Sequence, residues 1–63
     1  MPVIHIHMLE GRTKEQKKTL VKAITHAMVE IAKAPSEHTN VIFHDIPRES
    51  WGTGGELLSE KER

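Results

Sequence analysis

Two sets of residues in this 63-residue sequence could do chemistry. The first is Pro2. With Met1 removed, its ring nitrogen becomes a secondary amine whose lone pair can take up a proton. A useful base needs a conjugate-acid pKa near the working pH, and burial with nearby cations moves an amine in that direction. Ile4, Ile6 and Met8 supply apolar neighbours. The second set is His5, His7 and His44. On a strand, His5 and His7 share a face about 7 Å apart, and His44 falls in a stretch expected to run beside them. Three imidazoles could hold zinc, which needs three or four convergent ligands. With no cysteine in the chain and no carboxylate motif close by, we expect no metal and read them as surface or interface histidines.

Pro2 has to be held by regular structure. Pro2 to Leu9 reads as a strand, with Pro2, Ile4, Ile6 and Met8 on one face and Val3, His5, His7 and Leu9 on the other. A proline costs little at a strand's first residue, where the missing N–H is not needed. Both faces are fairly apolar, as in a strand covered by a helix on one side and by something else on the other. Glu10-Gly11-Arg12 breaks the strand, and Thr13-Lys14-Glu15-Gln16 has the spacing of a capping box that opens a helix. Leu20, Val21, Ile24, Ala27, Met28 and Ile31 draw one apolar stripe for core packing, while Lys14, Lys17, Lys18, Lys22, Glu30 and Lys33 form a solvated face. Pro35 disfavours helix at Ala34, where the helix should close.

Ser36-Glu37-His38 reads as a turn, and Thr39 to Ile46 as a second strand with a β-branched and aromatic centre. Strand, helix and strand predict a right-handed βαβ unit with parallel strands. Pro47 to Gly55 is loop chemistry, with three glycines and the only tryptophan, and the tail Glu56 to Arg63 is polar apart from Leu57 and Leu58.

We expect residues 1–63 to form a single domain. A chain this short buries only about 60% of its unfolded surface, and without cysteine it cannot be stapled by disulfides, so an oligomer is expected. Nine basic and nine acidic residues give no net charge, which argues against nucleic-acid binding, including the β-ribbon type. No apolar run approaches the roughly 18 residues of a membrane span, and the start lacks the features of a signal peptide. The expectation is a cytoplasmic protein with no membrane partner.

Pro2, the block Ile6-His7-Met8-Leu9-Glu10-Gly11-Arg12 followed by Glu15-Gln16-Lys17, and Gly52-Thr53-Gly54-Gly55-Glu56-Leu57 together carry a resemblance. The chain resembles the 4-oxalocrotonate tautomerase family, small members of the tautomerase superfamily, over nearly its whole length. The resemblance implies an α+β fold, a β-α-β subunit with a short C-terminal hairpin, and a homohexamer built as a trimer of dimers. It also implies enol–keto isomerisation of a small enol carboxylate such as 2-hydroxymuconate, without a cofactor.

For the individual residues, the resemblance implies that Pro2 is the general base, carrying a proton from a dienol hydroxyl to a carbon further along the conjugated chain. Arg12 matches the arginine that binds a substrate carboxylate, often from a neighbouring subunit. A guanidinium can grip a carboxylate with two hydrogen bonds and draw electron density along a conjugated acid. Trp51 stands where the family has a pocket-lining phenylalanine, and Leu9 is counted among the substrate-binding residues. Asn40 departs from the pattern, because the family's second arginine should lie there. A neutral amide donates to an enolate oxygen without supplying charge, at roughly half the strength. Either activity on the dicarboxylate is reduced or the preferred substrate has one carboxylate, such as phenylenolpyruvate. Arg48, or an arginine from a second type of chain in a mixed oligomer, could supply the missing charge.

Overall fold

A computed structural model describes residues 1–61. Strand β1 (Val3–Leu9) is followed by helix α1 (Lys14–Ala32), a 3-10 turn (Ser36–His38) and strand β2 (Asn40–Ile46). A second 3-10 turn (Arg48–Ser50), the short strands β3 (Gly52–Thr53) and β4 (Glu56–Leu57), and the one-turn helix α2 (Leu58–Lys61) complete the chain. β1 and β2 are parallel, with Val3 opposite Asn40, His5 opposite Ile42, His7 opposite His44 and Leu9 opposite Ile46. This is the expected α+β arrangement, with each strand starting one residue later than the sequence suggested. Glu62 and Arg63, the end of the polar tail, lie outside the described residues.

The helix begins as its residues dictate. The Thr13 hydroxyl accepts the Gln16 backbone N–H at 3.1 Å, and the Gln16 side chain accepts the Thr13 N–H at 2.9 Å. Two of the backbone donors that a helix start leaves unpaired are satisfied reciprocally. The helix ends at Ala32, two residues before the expected Ala34, because Lys33 takes a left-handed conformation at φ 59° and the Ala34 N–H returns to the Met28 carbonyl. Proline at 35 limits the helix, but the left-handed Lys33 terminates it.

α1 covers one face of the β1–β2 sheet. Leu20, Val21, Ile24 and Met28 are half-buried against it, as are Ile4, Ile6, Met8, Val41 and Phe43. Ala27 and Ile31 do not follow the rest of the stripe: Ala27 is exposed and Ile31 is 82% exposed. For Ile31 the reason is length: a helix of 19 residues spans about 28 Å, whereas each seven-residue strand spans about 23 Å. Not every turn of α1 can sit over sheet, and Ile31 lies in its last turn. Lys17 also departs from expectation. It is not solvated but forms an ion pair with Asp45 of β2 and lies 5.7 Å from the centre of the Phe43 ring.

The far face of the sheet is uncovered, and among the described residues no side chain is fully buried. The radius of gyration is 14.9 Å, against about 11 Å for a compact domain of this length. The subunit is an open plate whose apolar faces are only half closed. β3 and β4 make a separate two-stranded hairpin. Gly54 and Gly55, at φ 61° and 86°, form its two-residue turn; positive φ at both positions is what such a turn demands and what glycine supplies. No helix among the described residues is long and apolar enough to cross a membrane.

Candidate active site

Pro2 is half-buried immediately before β1, while Met1 is 87% exposed. The Pro2 carbonyl accepts the backbone N–H of Asn40 at 3.0 Å, so the parallel ladder reaches the residue that would act as base. Pro2 is thereby held on the edge of a rigid element. The Asn40 side chain is turned away to its own turn: its amide donates to the His38 carbonyl at 3.2 Å. At this position the backbone fixes Pro2 and the side-chain donor is already engaged.

Arg12 and Leu9 meet at the other end of β1. A guanidinium N–H of Arg12 donates to the Leu9 carbonyl at 3.4 Å, a long bond that leaves most of its donors to solvent, and Arg12 is exposed. Gly11, at φ 126°, makes the bend that lifts Arg12 off the strand before Thr13 caps the helix. A cleft of about 640 Å³ opens beside it, lined by Met8, Arg12, Lys17, Leu20 and Ala23 among others. Its size suits a small ligand, yet Pro2, Asn40 and Trp51 are not among its walls. The cleft and these three predicted residues are separate in the single chain.

Trp51 stands at the root of the hairpin. It is half-buried, and its carbonyl accepts the Leu58 N–H at 2.9 Å, which ties the two ends of the hairpin together. The structure thus brings the sequence-predicted residues into separate groups: Pro2 with Asn40, Leu9 with Arg12, and Trp51 on the hairpin. From Pro2 to Leu9 the strand rises about 23 Å, so Pro2 and the Leu9–Arg12 group stand at opposite ends of β1.

Lys17 was missed as a pairing residue, although two signals mark it. It lies three, four and seven residues before Leu20, Val21 and Ile24, on the apolar stripe rather than opposite it. Asp45 in turn is two residues from Phe43 in β2, on the same face.

His5, His7 and His44 gather on the open face. His5 Nδ1 and His44 Nε2 are 2.8 Å apart, a hydrogen-bond distance, and the His7 ring stacks on His44 with centroids 4.3 Å apart and planes 10° from parallel. Nitrogens engaged with each other do not converge on a common centre. Among the described residues no group of three or more His, Cys, Asp or Glu side chains is arranged to hold a metal ion.

A family model described as tautomerase enzyme matches residues 2–61. The 2-hydroxymuconate tautomerase of Comamonas testosteroni is 48% identical over 62 residues, covering 98% of this chain and 95% of its own length. A solved structure of a 4-oxalocrotonate tautomerase isozyme from Methylibium petroleiphilum shares the fold with a TM-score of 0.88 at 42% identity, covering 98% of this chain and all of its own. A heterohexameric 4-oxalocrotonate tautomerase from Chloroflexus aurantiacus J-10-fl is also similar, with a TM-score of 0.87 at 32% identity, covering 98% of this chain and 100% of its own.

Proposed function

This chain belongs to the tautomerase family, and from that premise we propose that it interconverts the enol and keto forms of a 2-hydroxydienoate such as 2-hydroxymuconate, with the amine of Pro2 as general base. The observation that carries this reading is the hydrogen bond from Asn40 N–H to the Pro2 carbonyl, which holds the nitrogen of residue 2 at a fixed edge. Once Met1 is removed, that nitrogen takes the proton of the substrate's 2-hydroxyl. The C–O bond becomes a carbonyl, the conjugated electrons move along the chain, and the far carbon takes the proton back from the protonated amine. Atoms and charge balance without a cofactor.

Arg12 grips the carboxylate. Two parallel hydrogen bonds from a guanidinium fix a planar acid and favour charge at the end of the conjugated system that is about to be protonated. Trp51 and Leu9 supply apolar wall around the reacting chain, which strengthens these electrostatic contacts by keeping water out. Because Pro2 and Arg12 lie at opposite ends of β1, the pair that meets one substrate comes from different copies. We take the assembly to be a homohexamer, a trimer of dimers, in which a single-domain subunit of residues 1–63 closes its half-covered faces against its neighbours. The apolar cleft beside Met8, Leu20 and Ala23 is then a seat for another copy.

Asn40 favours a second reading. Its side chain brings no charge and is engaged with His38, so a second substrate carboxylate has one cation fewer to meet. On this reading the better substrate is a monocarboxylate enol such as phenylenolpyruvate, or the missing arginine comes from a different chain in a mixed oligomer. Turnover of the two substrates by the purified homo-oligomer separates the possibilities: a clear preference for the dicarboxylate removes the second reading. The base itself is tested by the intact mass of an active sample. A mass lacking Met1 is expected; a fully active sample that retains Met1 overturns the mechanism.

A further inference from the structure

The uncovered face of the β1–β2 sheet has a distinctive composition. Val3 and Ile42, 48% and 42% exposed, share it with Leu9, Ile46, Asn40 and the imidazoles of His5, His7 and His44. No lysine, arginine, aspartate or glutamate projects from β1 or β2 on this side. The one charged residue within the two strands, Asp45, faces α1, where it pairs with Lys17, and Glu10 follows the end of β1. At neutral pH the face carries no permanent charge.

A second copy of this chain is what such a face fits. The subunit exposes 4856 Å² for 7.2 kDa, about 750 Å² more than a folded monomer of that mass. That excess is close to the 800 Å² or so that one partner contributes to a standard interface. An apolar, uncharged sheet face closes well against another like it. We propose that His5, His7 and His44 form an acid-sensitive catch in this subunit contact, closed when the rings are neutral and opened by their protonation. The proposal rests on the oligomeric reading above and adds to it a condition under which the assembly comes apart.

The geometry gives the reason. The bond between His5 Nδ1 and His44 Nε2 at 2.8 Å needs one nitrogen to donate and the other to accept. When both rings are imidazolium, every ring nitrogen is a donor and the bond has no acceptor. His7, stacked on His44 at 4.3 Å, adds a further positive charge within the same group. From β1 and β2 the groups facing one another are these rings alone. Lys17 and Asp45 lie on the opposite side of the sheet, so no carboxylate of β1 or β2 offsets the added charge on this face. Burying several uncompensated cations in an apolar contact is strongly unfavourable.

The test is the mass of the assembly by light scattering or sedimentation between about pH 8 and about pH 5, a window in which histidines titrate and most carboxylates stay ionised. Wild type should be assembled at the upper end and lose the assembly toward the lower. The triple variant H5Q/H7Q/H44Q should stay assembled throughout, while H26Q/H38Q, which removes histidines from α1 and from the 36–38 turn, should follow wild type. If the triple variant does not assemble at all, His7→Gln alone decides, with an acid midpoint lower than wild type expected. Wild type that stays assembled at about pH 5, or a triple variant or His7→Gln that shares its midpoint, overturns the catch and leaves the oligomer standing. Wild type that is monomeric at about pH 8 overturns both.

Discussion

Asn40 donates its backbone N–H to the carbonyl of Pro2 at 3.0 Å, one step beyond the pairing of Val3 with Asn40. The second strand therefore clamps the residue just ahead of the first. On the proposed mechanism, an amine held this way would lose little further freedom on meeting a substrate proton, the entropic advantage of a positioned base.

Pro2→Ala leaves a primary amine in place of the ring. It should lower kcat/KM by about a hundred-fold to ten-thousand-fold, the range over which a positioned general base acts. Alkylation of the Pro2 nitrogen should abolish turnover of the enol. Steady-state assays with the oligomer mass unchanged check this, and wild-type rates after either treatment would remove Pro2 from the mechanism.

Arg12 is exposed, and its one hydrogen bond among the described residues is the long one to Leu9, so Arg12→Ala should leave folding intact while weakening the proposed carboxylate grip. Removing a charge-assisted, two-point contact should cost about ten-fold to a hundred-fold in kcat/KM. Arg12→Lys should recover only part of it, since an ammonium cannot reproduce the planar fork. An unchanged KM and kcat for Arg12→Ala would place the carboxylate elsewhere.

The two main strands, the helix and its start were legible in the sequence because local patterns mark them, as where Thr13 and Gln16 satisfy each other; the hairpin was expected only from the family resemblance, since Pro47 to Gly55 reads as loop and hides the strand Gly52–Thr53. Ile31 was not, because periodicity names a face of the helix and says nothing about where the sheet beneath it ends. The helix end at Lys33 was hidden for a similar reason, since a lysine rarely marks a left-handed cap. The site was legible only as a set of types. Pro2 and Leu9, beside which Arg12 stands, are about 23 Å apart along β1, and nothing in either end's neighbours says what each would meet.

Lys17 and Asp45 are the one ion pair spanning α1 and β2 among the described residues. Their side chains keep 29% and 34% of their surface exposed, so water screens much of the attraction. Asp45→Asn should therefore cost no more than about 1 kcal/mol, read as a small drop in Tm at fixed protein concentration. Lys17→Met, which keeps the stem over Phe43 and removes the charge, should be milder than Lys17→Ala. A loss of several kcal/mol from Asp45→Asn would mean the pair is far better shielded than its exposure implies.

Because residue 40 clamps Pro2 through its backbone, its side chain can be exchanged without disturbing Pro2. Asn40→Arg keeps the N–H that bonds the Pro2 carbonyl and gives up the amide's bond to His38. What it adds is a cation at the start of β2. A charge-assisted hydrogen bond is roughly twice as strong as a neutral one, a difference of about 1.4 kcal/mol or a factor of ten. The ratio of kcat/KM for 2-hydroxymuconate over phenylenolpyruvate should accordingly rise by about ten-fold, chiefly through the dicarboxylate. A rise in both substrates together would mean that the added charge meets the carbonyl oxygen common to them, not the second carboxylate. No change in either would mean that residue 40 faces away from the substrate in the assembled enzyme, as its side chain faces His38 in the single subunit.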